Sequence, residues 1–236
     1  MNIAVITAGG HGSRTEQDIP KQFMGVYEKP LLIYTLENFQ NHPEIDGIIV
    51  ICLNGWQEVL RAYARQYHIT KLNWIVEGGL NGQESINNGI NALKGICEDD
   101  DVILIHDGVR PFLPQEIITD AIIKARKYGS GVSAIRCQET IVRTNDGIEG
   151  MGNIERSEVM RVQTPQACLF GKARWAYEEA ERRGIHGEVA LNTLLLHLGE
   201  HVFFSAGSEK NIKITTVDDL DLFKALLRMK KEDWIH

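Results

Sequence analysis

The sequence has no long hydrophobic run and no excess of positive charge. None of its apolar segments reaches the ~18 residues that indicate a membrane span, and no basic segment precedes the first apolar run. Lysine and arginine number 25 against 32 acidic residues, so the net charge is −7. A negative protein is a poor match for nucleic acid or an anionic membrane as its main partner. We therefore expect a cytoplasmic protein that binds neither.

Cysteines are few and far apart. The four of them form no CxxC pair: Cys52, Cys97, Cys137 and Cys168. This spacing disfavours a disulfide framework and a zinc site, both of which need closely grouped or regularly paired cysteines. It favours four free thiols in a reducing compartment.

The composition favours one α/β domain over residues 1–236, because 43% of the side chains are hydrophobic and can form a substantial core. Apolar runs predict strands over residues 3–7, 47–53, 74–76, 102–106, 131–135 and 202–205. Helical patterns lie between or after them, over residues 30–41, 57–67, 85–94, 114–128, 172–183 and 218–231. This alternation predicts a mostly parallel sheet with helices on both faces, whose ligands bind beyond the carboxyl ends of the strands.

Residues 138–163 interrupt the alternation. An extended run at 139–143 and an Asn-Asp-Gly turn at 145–147 predict a projecting β-hairpin. An isolated two-stranded hairpin is marginally stable in water, so it needs a surface to pack on. A partner subunit is one candidate for that surface.

A glycine-rich turn follows the first predicted strand, with the sequence AGGHGSR at residues 8–14. Glycine has no Cβ, so backbone N–H groups can approach phosphate oxygens there. Arg14 and Lys21 add positive charge, which favours phosphate binding over a purely structural turn. The third glycine of the dinucleotide fingerprint and the Gly-Lys-Ser/Thr of the P-loop are both missing.

Asp107 follows a buried strand and could hold Mg²⁺ between phosphates. The alternative is that it pairs with Arg110 or caps a turn, and His106 beside it is more typical of a structural hydrogen-bonding residue. Gly78-Gly79 and Ser85, at a predicted helix start, offer a second set of N–H donors and a cap. Taken alone, they indicate only a loop and a helix cap. Taken singly, Lys213, Arg156 and Thr140 are typical of surface residues. The Asp-Asp pair at 218–219 is typical of the start of a helix.

Together these segments resemble one family. The motifs, in order, are AGGHGSR (8–14), PKQF (20–23), the glycine pair with Ser85, HDGVRPF (106–112), Thr140, Arg156, QTPQ (163–166) and NIKITT (211–216). They are similar to those of the cytidylyltransferases that join CTP to methylerythritol phosphate or ribitol 5-phosphate. The likeness runs from residue 2 to about residue 228.

The resemblance implies a Rossmann-like nucleotidyltransferase domain, a homodimer formed through the 138–163 arm, and Mg²⁺-dependent transfer of CMP to a polyol phosphate with release of pyrophosphate. It implies catalytic roles for Arg14, Lys21 and Lys213. The implied nucleotide-binding residues are Ala8, Gly9, Gly10, Gly12, Gly78, Gly79 and Ser85. The implied substrate-binding residues are Asp107, Arg110, Thr140 and Arg156, with Asp107 also the metal ligand.

Three positions depart from the pattern that the family commonly has. Gly82 stands in place of an arginine, residues 189–191 in place of a segment with a Thr-Asp pair, and Thr15 in place of a frequent methionine. Segments 19–23, 81–83 and 110–113 resemble the ribitol-phosphate branch of the family more than the methylerythritol branch, which favours ribitol 5-phosphate as the acceptor. The glycine-rich turn alone is also compatible with a sugar-1-phosphate nucleotidyltransferase or with a non-catalytic nucleotide-binding homologue.

Overall fold

The computed structural model describes residues 1–10 and 19–232, with side chains as far as residue 229. Its strands are β1 (Asn2–Ala8), β2 (Gly25–Val26), β3 (Lys29–Pro30), β4 (Gly47–Cys52), β5 (Leu72–Glu77), β6 (Val102–Asp107), β7 (Ser130–Arg136), β8 (Ile141–Arg143), β9 (Gly152–Ile154), β10 (Met160–Leu169) and β11 (Phe204–Ser205). Its helices are α1 (Leu31–Gln40), α2 (Gln57–Gln66), α3 (Gly82–Ala92), α4 (Gln115–Tyr128), α5 (Phe170–Arg183), α6 (Leu191–His197) and α7 (Val217–Glu232). Short 3-10 turns occupy Lys21–Phe23 and Arg156–Glu158.

Within the described residues, seven strands form one sheet in the order β11-β7-β10-β6-β1-β4-β5. β1 lies between β4 and β6 and runs parallel to both, and β4 runs parallel to β5. β10 runs antiparallel to its neighbours β6 and β7. The predicted α/β class with a mostly parallel, Rossmann-like sheet is confirmed.

The two faces of the sheet bury separate hydrophobic clusters, as the two-residue period of a strand requires. On β1, Ala4 and Ile6 pack with α1, α2 and α4, whereas Ile3 and Val5 pack with α3, α5 and α6. β4 is buried along its whole length. Helices therefore cover both faces, as predicted, and the carboxyl ends of β1, β4 and β6 meet at one edge.

Helix α4 shows how closely local signals set the ends of an element. Pro114 precedes its first turn with φ of −59°, and Gly129 ends it in the left-handed region with φ of 84°. Proline suits a helix start because its fixed φ matches the helix, and glycine suits the left-handed cap because it has no Cβ. The predicted limits of this helix are met to within one residue.

The short strands β2 and β3, the long strand β10 and the helix α6 were not predicted. β10 contains Pro165 and several polar residues, which disfavour a central strand. It is accommodated by a register shift between Val162 and Gln166, where its pairing with β7 is interrupted. α6 has only seven residues, too few for a clear helical period.

The predicted hairpin is present as the antiparallel pair β8 and β9. Three apolar side chains on it are uncovered: Val142 is 51% exposed, Ile148 91% and Met151 62%. The 3-10 turn follows, and residues 160–163 of the predicted arm belong to β10 of the main sheet.

The four cysteines are buried and unpaired. Burial raises the pKa of the Cys52 and Cys97 thiols to about 11 and that of Cys168 to about 12. In the part of the chain that the structure describes, no helix is both long and apolar enough to cross a membrane.

Candidate active site

A cavity of about 830 Å³ opens at the carboxyl edge of the sheet. Its walls come from the loop after β1, the start of α3, the end of β6, the middle of β10, the start of α6 and Lys213. This is the edge at which open parallel sheets bind ligands. The sequence predicted this location from the glycine turn after β1 and from Asp107 after β6.

Two glycine loops approach each other closely at this edge, one after β1 and one before α3. An ideal Cβ on Gly9 would lie 3.4 Å from the Cα of Gly78. A Cβ on Gly79 would lie 2.4 Å from the Cβ of Glu84, which is an impossible contact. The two glycine loops thus touch through their backbones, and Gly9 and Gly79 line the cavity.

The side chain of Gln22 holds the first glycine loop in place. Its Nε2 donates hydrogen bonds to the carbonyl oxygens of Ala8, at 2.8 Å, and Gly10, at 3.1 Å. Gln22 is buried, so these bonds are shielded from water. The PKQF motif contains Gln22, but the sequence pattern indicates no role for it.

Ser85 does not cap helix α3, contrary to the prediction. Asn81 is the N-cap, and its side-chain oxygen accepts from the N–H of Glu84 at 2.9 Å. The Ser85 hydroxyl lies in the first turn and accepts from the N–H of Gly79, also at 2.9 Å. Helix α3 begins three residues earlier than predicted, because asparagine is a strong N-cap and places the helix start at Gly82.

Asp107 lies at the base of the cavity between two cations. Its Oδ1 is 3.2 Å from Nζ of Lys213, and its Oδ2 is 2.8 Å from Nε of Arg110. Burial raises the pKa of this carboxyl, but Lys213 and Arg110 together outweigh burial and lower it below its ordinary value. Asp107 is therefore a charged group facing the cavity, and the expectation that it pairs with Arg110 is also correct.

His106 is completely buried beneath Asp107. Burial is the main cause that lowers the pKa of its imidazole to about 4, so the ring is neutral at pH 7. Its Nε2 is 3.1 Å from the carbonyl oxygen of Arg110, which can only accept. Nε2 therefore carries the proton, and Nδ1 accepts from the Thr164 hydroxyl at 3.0 Å. His106 is a structural hydrogen-bonding residue, as expected.

Comparison with known proteins identifies the family. Residues 2–229 match the IspD family, described as 2-C-methyl-D-erythritol 4-phosphate cytidylyltransferase. The chain belongs to the IspD family.

Among IspD relatives, the ribitol-5-phosphate cytidylyltransferase of Lacticaseibacillus paracasei is 42% identical, over 98% of this chain and all of that protein. The 2-C-methyl-D-erythritol 4-phosphate cytidylyltransferase of Clostridium novyi is 36% identical over 96% of each chain. The solved 4-diphosphocytidyl-2C-methyl-D-erythritol synthase of Anaerococcus prevotii is 26% identical, with a TM-score of 0.82 over 96% of each chain. The predicted resemblance to cytidylyltransferases is confirmed.

The predicted IspD site residues fall into four groups. The following line the cavity: Ala8, Gly9, Gly10, Lys21, Gly79, Ser85, Asp107, Arg110 and Lys213. Gly78 lies behind Gly9. Thr140 and Arg156 lie on the hairpin segment and do not line the cavity, and Gly12 and Arg14 lie outside the described residues.

Polar groups of β10 and α6 complete the cavity wall and were not predicted as site residues. Gln163, Thr164 and Gln166 line it from β10, and Asn192 and Thr193 from α6. The QTPQ motif could have indicated the first three, but the missed strand left them without a position in the sheet.

Among the described residues that line the cavity, Asp107 is the only carboxylate. No group of three metal-ligating side chains occurs in the described chain. Mg²⁺ is ordinarily held by one or two carboxylates together with substrate phosphates and water. One carboxylate at the base of a cavity that also contains Lys21 and Lys213 fits that arrangement, with the phosphates supplying the other ligands.

Proposed function

We propose that this protein transfers CMP from CTP to ribitol 5-phosphate and releases pyrophosphate. The observation that carries the proposal is the charged group of Asp107, Lys213 and Arg110 at the base of a cavity bordered by two glycine loops. In the reaction, a phosphate oxygen of the acceptor forms a bond to the α-phosphorus of CTP. The bond from that phosphorus to the bridging oxygen of the β-phosphate breaks.

Such a transfer depends on positioning and on stabilising negative charge, because the bonds are rearranged on phosphorus itself. Lys21 and Lys213 line the cavity with cationic side chains suited to the triphosphate. Arg14 is proposed to act with them. Backbone N–H groups of the glycine loops suit the cytidine and its phosphates, because no Cβ blocks their approach.

Mg²⁺ is the proposed cofactor, held by Asp107 together with phosphate oxygens. When bound, the metal neutralises charge on the phosphates and aligns them for in-line displacement. The residues present support this role, since Asp107 lines the cavity. Among the described contacts, its Oδ1 is shared only with the partly exposed Lys213.

Thr140 and Arg156 are proposed to bind the acceptor phosphate in the cavity of a partner subunit. Both lie on the hairpin segment, away from the cavity of their own chain. Arg156 donates from Nη1 to the carbonyl oxygen of Gln138 and is otherwise exposed to solvent. A homodimer in which each arm reaches across would bring these residues to a second cavity.

The choice of ribitol 5-phosphate is supported by the Lacticaseibacillus paracasei relative, which carries that name and matches over its entire length. Gly82, Val189 and Ala190, where the chain departs from the commoner pattern of the family, all line the cavity, and an ideal Cβ on Gly82 would lie 3.6 Å from the carbonyl oxygen of Val189. Methylerythritol 4-phosphate is the second candidate, supported by the Clostridium novyi relative.

The free thiols support a reducing compartment such as the cytoplasm.

The deciding experiment is a pyrophosphate-release assay with CTP and Mg²⁺, in which each acceptor phosphate is offered separately. Turnover with ribitol 5-phosphate at a much higher kcat/KM supports the proposal. Preference for methylerythritol 4-phosphate overturns the acceptor but keeps the reaction. No pyrophosphate with either acceptor, despite CTP binding by calorimetry, overturns both.

A further inference from the structure

Beneath the charged pair at the base of the cavity, four residues form a closed ring of hydrogen bonds. His106 Nε2 donates to the carbonyl oxygen of Arg110 at 3.1 Å, and Arg110 Nη1 donates to the carbonyl oxygen of Asn211 at 2.7 Å. Asn211 Nδ2 donates to the carbonyl oxygen of Thr164 at 2.7 Å. The Thr164 hydroxyl closes the ring by donating to His106 Nδ1 at 3.0 Å. We call these four residues the hydrogen-bond ring.

Every member of the ring donates one bond and accepts one, all in the same sense. The geometry sets this sense, because the Arg110 carbonyl oxygen can only accept from Nε2. The Thr164 hydroxyl already accepts from the N–H of Asp107, so its own proton is directed to Nδ1. His106 and Asn211 are completely buried, so water does not compete for their bonds. Hydrogen bonds connected in this way polarise one another and stiffen the groups they join.

The ring is attached directly to the charged groups of the cavity. Asp107 follows His106 in the chain, donates its N–H to the Thr164 hydroxyl at 3.1 Å and accepts from Nε of Arg110 at 2.8 Å. Lys213 lies two residues after Asn211, and its Nζ contacts the other Asp107 oxygen. The ring therefore fixes both the backbone and the side chain of Asp107 relative to Lys213.

Thr164 belongs to the irregular part of β10. It lies within the register shift between Val162 and Gln166, where pairing with β7 is interrupted. Such irregularities turn side chains out of the regular alternation of a strand and recur next to active sites.

We propose that His106, Thr164 and Asn211 are positioning residues for CMP transfer, and that Arg110 acts through Asp107 and the ring rather than as a direct ligand of the substrate. Two of the three Arg110 nitrogens are committed to Asp107 and to Asn211. This assignment rests on the proposed function for its kinetic part and on the hydrogen-bond geometry for its structural part.

The test compares Thr164→Val, which keeps the shape but removes the hydroxyl, with Thr164→Ser, which keeps the hydroxyl. Misplacing Asp107 by a fraction of an ångström should lower kcat about tenfold or more while KM for CTP stays within about twofold. Thr164→Ser should restore most of kcat. Arg110→Lys, which removes the donor to Asn211 but keeps the charge, should also lower kcat without raising KM for the acceptor.

A matched control is available elsewhere in the chain. The Thr119 hydroxyl lies 3.0 Å from Nε2 of the buried His42, and neither residue lines the cavity. Thr119→Val therefore removes a comparable threonine–histidine bond and should change thermal stability but not kcat.

Nuclear magnetic resonance of ¹⁵N-histidine-labelled protein supplies a readout that is independent of activity. The unprotonated Nδ1 of His106, assigned by its loss in His106→Gln, should shift in Thr164→Val and return in Thr164→Ser. Full kcat in Thr164→Val, equal loss in both Thr164 variants, or a KM effect alone in Arg110→Lys would overturn the proposal. A wild type that releases no pyrophosphate overturns the proposed function and the kinetic role together. In that case an unshifted Nδ1 in Thr164→Val would additionally overturn the ring itself.

Discussion

Lys213 and Asp107 are separated by 106 residues in the chain and meet at the base of the cavity, with 3.2 Å between Nζ and Oδ1. The lysine side chain is about half exposed and the aspartate mostly buried, so the pair holds the amine at the cavity surface. A ligand phosphate entering the cavity would compete with Asp107 for the same amine. This makes Lys213 the clearest position at which to test the charge-stabilising role.

Lys213→Gln is expected to lower kcat by about 10²–10³, the usual cost of losing one preorganised donor to a developing negative charge. CTP should still bind, because the glycine loops are intact. The measurement is steady-state pyrophosphate release combined with calorimetric titration of CTP. Lys210→Gln, at an exposed lysine three residues away, is the matched control and should retain activity. Equal activity in the two variants would contradict the assigned role.

Arg156→Ala is expected to raise KM for the acceptor phosphate at least tenfold and to leave CTP affinity unchanged, since a charge-assisted hydrogen bond to phosphate would be lost. Initial rates over a range of acceptor concentrations test this. Arg143→Ala removes another exposed arginine from β8 and serves as the control. If CTP binding fell as much as acceptor binding, Arg156 would not belong to the acceptor subsite.

Gly79→Ala is expected to weaken CTP binding by tenfold or more, because the new methyl group would lie 2.4 Å from the Cβ of Glu84 and displace the loop. The same displacement would break the bond from the Gly79 N–H to Ser85 and lower the melting temperature. Gly25→Ala, where nothing lies within 4 Å of the added carbon, should change neither property. Calorimetry and thermal unfolding together decide the outcome, and unaltered CTP affinity in Gly79→Ala would rule out this loop as a nucleotide contact.

Ile148→Glu is expected to convert a dimer into monomers if the arm forms the subunit interface, because a charge would replace a side chain that is 91% exposed in one chain. Burying an unpaired carboxylate at an apolar interface is strongly unfavourable. Sedimentation velocity at several protein concentrations measures the change. Ile123→Glu, at a half-exposed position on α4, is the control. A dimer that survives the Ile148 change would place the interface elsewhere.

Much of the fold follows from local signals in the sequence. Buried parallel strands such as β4 are apolar throughout, and α4 has a proline at its start and a glycine at its end. These elements can therefore be predicted from short segments of the sequence. β10 was not predicted because it is stabilised by pairing with two strands that are distant in sequence. This pairing outweighs the local effect of Pro165. Tertiary pairing of this kind leaves no periodic signal.

The residues of the candidate site likewise include some that the sequence predicts and some that it does not. The glycine turns and Asp107 could be placed at the cavity because each follows a predicted strand. The hydrogen bonds of Gln22 and Asn211 could not, because a buried amide has no sequence pattern that names its partner. The N-cap is Asn81 and not Ser85. The first residue of a helix is hard to predict where several polar residues that could act as the N-cap lie within one turn.

β10 begins at Met160, within the 138–163 arm and just after its 3-10 turn, and reaches Thr164 four residues later, about 13 Å along an extended chain. Over its first three residues it is hydrogen-bonded to β7, and beyond Thr164 it is wedged between β6 and β7. A single strand, hydrogen-bonded to its neighbours, thus connects the proposed subunit contact to the cavity wall. An arm that changed its angle on a neighbour would transmit that change to the hydroxyl beneath Asp107, so assembly and catalytic alignment would share one mechanical element.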